Sequence, residues 1–467
     1  MKLASQILAE GFPSLVSMGE MLRTGVCSSV DLTEYALQRI EQLDGRLHAF
    51  VGIYAKEALL AAQAADNQIR AGNWLGPLHG IPVALKDNVD VAGRPSTAGS
   101  TLLASQVATA HAWITQRLLA CGAVIVGKTH MVEFALGAWG ANEYMGAPRN
   151  PWGGKAHLSP GGSSSGSAVA VAAGMVPLTI GTDTGASVRV PASLCGVTGF
   201  KPTIGRLSSE GVVPLSTTLD SVGVLAQTAE DAALMFAALT GDAQAFPPSE
   251  LQAGASPSLR GLRVGYLGSA DLEGLQPEIH RAYAHALDTF REQGAHLQQL
   301  VLPTTFDELA DVSSTIMLSE AAASWGHLAA DESLRMDASV RPRILAGARL
   351  SATKYVAACR RRAELKRLFA PSLGDLDVFL TPTSQWTARP LESVDHTNPP
   401  VRYARIGNLL DLCGISVQMG EDDQSLPIGL QIAGRTDAEA RVLGVARGYQ
   451  ACTSWHQRRW TADTSGR

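Results

Sequence analysis

The run Gly161-Gly162-Ser163-Ser164-Ser165-Gly166-Ser167 passes without a break into Ala168-Val169-Ala170-Val171-Ala172-Ala173-Gly174, and this junction limits the possible folds more than any other stretch. A glycine–serine run alone usually makes a solvated linker. A linker has no use for an apolar, alanine-rich helix directly behind it. Gly161, Gly162 and Gly166 let the backbone turn tightly and approach other backbone closely. The serines then fall at the head of a buried helix, where amide N–H groups point outward. The expectation is an ordered polar site set into a core.

A second loop of small residues, Gly181-Thr182-Asp183-Thr184-Gly185-Ala186-Ser187-Val188-Arg189-Val190-Pro191, follows apolar Leu178–Ile180 and leads into Ala192-Ser193-Leu194-Cys195-Gly196. Such a loop can turn several N–H groups toward one point ahead of Ser187, as an oxyanion hole requires. Three better-known motifs do not account for the pair. A phosphate loop needs a lysine after its last glycine, and none follows Gly166. Gly162–Gly166 matches G-x-S-x-G, but the nucleophile elbow needs a hydrophobic strand before it, and Gly153–Pro160 reads as a loop. Ser351–Lys354 spells S-x-x-K without its K-T-G or S-D-N companions and is treated as chance.

Around these loops the texture is α/β. Leu32, Tyr35, Ala36, Arg39 and Ile40 predict a helix over Asp31–Leu43 capped by Ser29, and Lys56–Ala71 predicts another ending at Gly72, so the first 70 residues read as helical. Ile81–Leu85, Ala123–Gly127, Leu262–Leu267, Asp377–Thr383 and Leu426–Ile432 read as strands. Ala112–Ala120, Pro277–Ala295 and Phe306–Leu368 read as helical. Strands alternating with helices favour one sheet with helices packed on it. Of the 467 residues, 46% are hydrophobic and only 17% charged, which suits a large core.

Composition also limits the partners. A net charge of −5 gives no phosphate-binding surface. The basic cluster Arg360, Arg361, Arg362, Lys366 and Arg367 alternates with Leu365 and Phe369, as a solvated helix face does. Six cysteines with no C-x-x-C pair suit free thiols rather than a zinc ribbon or disulfide framework. The histidines, His79 and His130 included, lack metal-ligand spacing. Met1–Leu15 carries Glu10 where a signal segment is apolar, and no apolar run reaches about 18 residues. The expectation is a cytoplasmic protein with no metal, cofactor, nucleic-acid or membrane partner, monomeric or homodimeric.

From Gly161 through Gly199-Phe200-Lys201-Pro202-Thr203 the chain resembles the defining signature of the amidase-signature family. His79–Asp87 resembles that family's lysine motif, Glu133–Ala135 and Asn150–Trp152 its intermediate blocks, and Pro427–Gln431 its C-terminal strand. The blocks extend from about residue 20 to about 450. The resemblance implies a single large α/β domain with a central mixed sheet flanked by helices. It divides into N-terminal helices (1–75), a catalytic core (76–235), a variable, mainly helical, pocket-forming region (240–395) and a C-terminal return to the sheet (396–467).

Carried over by position, the nucleophile falls on Ser187, the serine of a cis peptide on Ser163 and the general base on Lys86. The oxyanion donors fall on the N–H groups of Thr184, Gly185, Ala186 and Ser187. Ala186 departs from the family's usual glycine, and a positive φ there would cost about 1–2 kcal/mol. Asp183 and Arg189 are expected to brace the loop by ion pairing, and Ser164 and Thr184 to hydrogen-bond around the triad. Burial at the end of an apolar strand would lower the lysine's pKa toward neutrality and fit it to take a serine proton.

The implied activity is hydrolysis of amide-type bonds of small molecules through an acyl-enzyme, with esters and carbamates as further candidates. A glutaminase subunit of a tRNA-dependent amidotransferase ranks second. That branch carries an aspartate seven residues before the asparagine matching Asn408, where this chain has Val401. An inactive binding or scaffold protein on the same fold is the third reading. Trp139, Tyr144 and Met145, with Asn142, are the candidate substrate-contacting side chains.

Overall fold

The computed structural model describes residues 11–242 and 257–462. Most of the Met1–Leu15 segment therefore lies outside the described residues. Eleven strands form one mixed sheet: β1 (Phe50–Ile53), β2 (Pro82–Lys86), β3 (Val124–Thr129), β4 (Leu178–Asp183), β5 (Thr198–Lys201), β6 (Ser221–Ala226), β7 (Arg263–Leu267), β8 (His296–Leu300), β9 (Val378–Pro382), β10 (Cys413–Glu421) and β11 (Pro427–Gly434). Their spatial order is β1-β3-β2-β4-β6-β5-β10-β11-β9-β7-β8. The pairs β3/β2, β2/β4, β9/β7 and β7/β8 are parallel, and the rest are antiparallel.

Every residue of β2, β4, β5, β6, β9 and β11 is buried, as strands covered on both faces require. This explains why they read as continuous apolar runs rather than alternating ones.

The sequence expectations meet the structure with local differences. The helix predicted over Asp31–Leu43 spans Ser29–Leu47, and Ser28 caps it in a reciprocal box with Asp31. Ser29 is spent elsewhere: its Oγ donates to the Gly80 carbonyl at 2.7 Å, fastening the helix to the turn before β2. The first 70 residues are not wholly helical. β1 pairs with β3 between the helices Ser29–Leu47 and Ala55–Arg70, and at four residues it is too short to show a period.

Phe306–Leu368 is three helices, Phe306–Ala330, Arg341–Ala348 and Ala352–Ser372, the second with Pro342 in its first turn. The segment between residues 240 and 395 also supplies β7, β8 and β9, which extend the sheet in parallel. Leu365 and Phe369 are buried as the basic helix face implied. Arg361 pairs with Glu308 at 2.7 Å, and Arg362 donates to the Leu409 carbonyl at 2.8 Å.

All six cysteines are free thiols. Among the described residues no helix is long and apolar enough to cross a membrane, and no group of three or more His, Cys, Asp or Glu side chains could hold a metal ion.

Candidate active site

Because β2 and β4 run parallel, Lys86 and the loop after Asp183 emerge at the same edge of the sheet. The helix Ser165–Ala172 packs beneath that edge with all eight residues buried. A side chain on Gly166 would strike the Ala49 carbonyl and the backbone of His130, so only glycine permits this seat. Ser167 hydrogen-bonds Thr129 at 2.7 Å and the Ile180 carbonyl at 3.2 Å, stitching the helix to β3 and β4. The Gly162–Ser163 peptide is cis.

Lys86 is fully buried. Its Nζ donates to Ser163 Oγ at 2.8 Å, to Thr182 Oγ1 at 2.7 Å and to the Thr182 carbonyl at 3.4 Å. Asp87, its neighbour in sequence, forms an ion pair with Lys128 instead, at 3.5 Å. Lys86 has no carboxylate in ion-pair contact among the described residues. Burial lowers its pKa from 10.5 to about 7, against the opposing pull of Asp220 and Asp183. An amine so placed is half neutral near pH 7.

The loop before Ser187 is organised by one carboxylate. Asp183 accepts from the N–H groups of Ala186 at 2.8 Å and Val188 at 3.0 Å, and from Arg189 Nε at 3.0 Å and Nη2 at 2.9 Å. Burial opposes ionisation of Asp183, but the Arg189 guanidinium and these donors hold its carboxyl well below the usual range. Arg189 then reaches Gln431 Oε1 and Asn408 Oδ1, each at 2.7 Å. The expected bracing by Asp183 and Arg189 is present, with both side chains fully buried.

Ala186 has φ +128°, the positive region where the family's usual glycine would be unstrained. Its N–H is held by Asp183, so it is turned away from the role of oxyanion donor that the sequence offered. The amides of Thr184, Gly185 and Ser187 have no protein acceptor among the described residues.

Ser187 is the most exposed of the three proposed catalytic residues, at 8% against 0% for Lys86 and Ser163. The Ser164 N–H donates to the Ser187 carbonyl at 3.1 Å, so the cis serine segment and the nucleophile loop are adjacent. Ser164 Oγ bonds both the N–H and the carbonyl of Thr182, at 3.2 and 3.1 Å. Thr184 Oγ1 donates to Asp220 Oδ1 at 2.5 Å. Asp220, pushed up to about 6 by burial, also receives the Leu215 and Ser216 amides. Sequence reasoning assigned nothing to Thr182, Asn88 or Asp220. Thr182 lies inside the glycine-rich loop already singled out, whereas Asp220 carries no local signal.

The chain has a cavity of about 1350 Å³, and Lys86, Ser163 and the Thr184–Ser187 loop are not among the residues that line it. It is walled by the helix Phe306–Ala330, the start of Arg341–Ala348 and the turn around Val401–Arg405. A methyl group built on Gly185 would lie 3.8 Å from Arg405 Nε, so one residue of the cavity wall, Arg405, neighbours the Ser187 loop. Of the candidate substrate contacts, Asn142 lines the cavity, while Trp139, Tyr144 and Met145 are not among its lining residues. Trp139 is buried, stacks on Trp386 at 6.0 Å and donates to the Asp395 carbonyl at 2.9 Å. Tyr144 is exposed, and Met145 Sδ accepts from Thr97 at 3.5 Å. Neighbouring glycines made these side chains look like a rim; the packing of Trp139 is that of a core residue.

A buried amine is thus hydrogen-bonded to one serine, and a second serine sits on an adjacent loop where the amides of Thr184, Gly185 and Ser187 have no protein acceptor among the described residues. The amidase family model matches residues 31–443, and the chain belongs to the amidase-signature family. It is 36% identical to a glutamyl-tRNA(Gln) amidotransferase subunit from Chloroflexus aggregans, over 94% of this chain and 96% of the relative. It is equally 36% identical to 2-amino-5-chloromuconic acid deaminase from Comamonas testosteroni, with the same coverage. Among solved structures, the peptide amidase from Stenotrophomonas maltophilia superposes with a TM-score of 0.82 at 28% identity, covering 97% of this chain and 99% of that one.

Proposed function

We propose that this chain is a free-standing hydrolase that cleaves amide-type bonds of small molecules, with Ser187 as nucleophile, Ser163 as proton relay and Lys86 as general base. The observation that carries the reading is the buried Lys86 amine, 2.8 Å from Ser163 Oγ, in ion-pair contact with no carboxylate among the described residues and lowered to about 7. A serine hydroxyl hardly ionises at neutral pH and needs a base. Ser187 attacks the carbonyl, and its proton passes through Ser163 to neutral Lys86. The free amides of Thr184, Gly185 and Ser187 receive the developing oxyanion. The relay returns a proton to the leaving amine, and water then cleaves the acyl-enzyme by the reverse path. Esters and carbamates fit the same chemistry.

The test is labelling of the purified chain with a fluorophosphonate, followed by assay on a p-nitroanilide panel. Ser187→Ala should abolish the adduct, and Lys86→Ala should cut turnover sharply. A well-folded Lys86→Ala variant with near-normal activity would remove the base assignment. Absence of any Ser187 adduct would favour the scaffold reading.

The amidotransferase role is a second reading because of the relatives bearing that name. Against it, Val401 lines the cavity where that branch carries an aspartate. Glutamine turnover that appears only with added partner chains, and no hydrolysis of anilides by the single chain, would reverse the order.

A further inference from the structure

Residues 213–220 lead into β6 and belong to no helix or strand, yet side chains hold them from two directions. On one side lie the elements of the site. The Val213 N–H donates to the Asn88 carbonyl at 2.8 Å, and Asn88 donates to Thr182 Oγ1 at 3.1 Å, the oxygen that Lys86 also reaches. Asn408 donates to the Leu219 carbonyl at 3.2 Å and to the Asp183 carbonyl at 2.7 Å. Asp220 accepts from Thr184 Oγ1 at 2.5 Å and folds back on its own segment, taking the Leu215 amide at 2.9 Å and the Ser216 amide at 3.0 Å. Thr184 is therefore held by a carboxylate whose own place depends on the shape of this segment.

On the other side is the helix Phe306–Ala330. Glu320 Oε2 accepts from Ser216 Oγ at 2.5 Å and the Thr218 N–H at 3.1 Å. Its Oε1 accepts from the Thr218 hydroxyl, and from the Tyr355 hydroxyl at 2.8 Å. Two donors on each oxygen engage the lone pairs of the carboxylate and leave it one orientation. Burial opposes ionisation of Glu320, but the hydrogen bonds from Ser216, Thr218 and Tyr355 hold it below the usual carboxylate range. Trp325, later on the same helix, donates Nε1 to the Pro214 carbonyl at 3.0 Å.

An oxyanion hole works when its donors already point to where charge will develop. The amides of Thr184, Gly185 and Ser187 have no protein acceptor to fix them, so their direction depends on what grips the side chains of the loop. Asp183 and Arg189 grip it from within. Asp220 grips Thr184 from the segment 213–220.

We propose that Glu320 is a positioning residue of the reaction: from the helix Phe306–Ala330 it fixes the segment 213–220, which through Asp220 and Thr184 sets the direction of the Thr184–Ser187 amides. Glu320 makes no hydrogen bond to Lys86, Ser163 or Ser187 among the described residues and acts through its neighbours. The inference rests on the reading of Ser187 as a hydrolytic nucleophile, and the experiment separates the two.

Glu320→Gln keeps the shape and replaces one acceptor oxygen with a donor. On the p-nitroanilide that the wild-type chain turns over fastest, kcat should fall by about ten- to hundredfold while KM moves by less than about twofold. Inhibition by phenylboronic acid, whose tetrahedral adduct with Ser187 sets an oxygen on the same amides, should weaken by a similar factor. Thr218→Val removes one hydroxyl and keeps the carboxylate; it should lower kcat by about two- to tenfold, and it carries the test should the glutamine variant fold poorly. Thr228→Ala uncaps the helix Ala229–Thr240 and removes none of these hydrogen bonds, so it should lower the melting temperature and leave kcat unchanged.

A cycle with Thr184→Val tests the path. Once the Thr184 hydroxyl is gone, Glu320→Gln should lower kcat further by no more than about twofold. A kcat near the wild-type value in both Glu320→Gln and Thr218→Val, an equal fall in Thr228→Ala, or losses that multiply in the double variant overturns the positioning role and leaves the hydrolase reading standing. A wild-type chain with neither fluorophosphonate adduct nor anilide turnover overturns the hydrolase reading, and this inference with it.

Discussion

Replacing Lys86 by methionine should inactivate the protein and make it more stable at the same time. Burial separates the folded pKa, about 7, from the ordinary 10.5. That difference of about 3.5 pH units, at about 1.4 kcal/mol each, is a desolvation cost of about 5 kcal/mol. At and below pH 7 the amine is protonated in both states, and the folded chain carries the whole cost. Between about 7 and 10.5 the unfolded chain binds the extra proton, so stability rises with pH; above 10.5 the cost is gone.

Methionine removes the charge but leaves Ser163 Oγ without its donor, although the Thr182 carbonyl keeps Ser164 Oγ at 3.1 Å and Thr182 Oγ1 keeps Asn88 at 3.1 Å. Such a loss costs about 1–3 kcal/mol. The net gain is about 2–4 kcal/mol near pH 6, fading toward about pH 9.5 as the parent loses its own penalty. Urea midpoints of parent and variant at those two pH values measure it. A variant less stable than the parent near pH 6, or an advantage that does not change with pH, would refute the account of a desolvated amine.

Ala186→Gly should stabilise the fold by about 1 kcal/mol by relieving the positive φ, partly offset by the freer unfolded chain, and should keep activity because the N–H that Asp183 holds is retained; thermal melting and anilide turnover check both. Asp183→Asn should cost about 3–5 kcal/mol, since Arg189 would be left buried without its counter-charge, and fluorophosphonate labelling should fall even where the variant still folds. Ser351→Ala should cost about 1 kcal/mol and leave turnover unchanged, because Ser351 Oγ caps the helix Ala352–Ser372 by accepting from the Lys354 N–H at 3.2 Å. An unaltered melting temperature would contradict that capping role; lost turnover would mean that the S-x-x-K spacing is more than chance.

The legible part of the site was the part written in contiguous sequence. Two runs of small residues pointed to an ordered polar site and one apolar strand ended in lysine, because tight turns and buried strands leave local traces; the choice of Ser163, Ser187 and Lys86 within them came from the family resemblance. The covered strands β2, β4 and β11 showed as apolar runs, and β1 did not, being short and placed between two strong helical patterns. The illegible part depends on distance along the chain. Asp220 acts on Thr184 from 36 residues away and Asn408 on Arg189 from 219, and no local period encodes such meetings. The departure at Ala186 was visible, yet the capture of its amide by Asp183 shows only in the folded chain.

Arg189 ties the nucleophile loop to residues that leave the ribosome very late: the Gln431 side chain is 242 positions downstream. A nascent chain therefore carries Ser187 long before Asn408 and Gln431 are present to hold Arg189. Synthesis of the reactive hydroxyl and its activation are separated in time, so a prematurely terminated product ending before Asn408 should be chemically inert toward a fluorophosphonate. Such a fragment poses no hydrolytic hazard to the cell, and a fragment that did label would show that the late segments merely decorate a loop able to set itself.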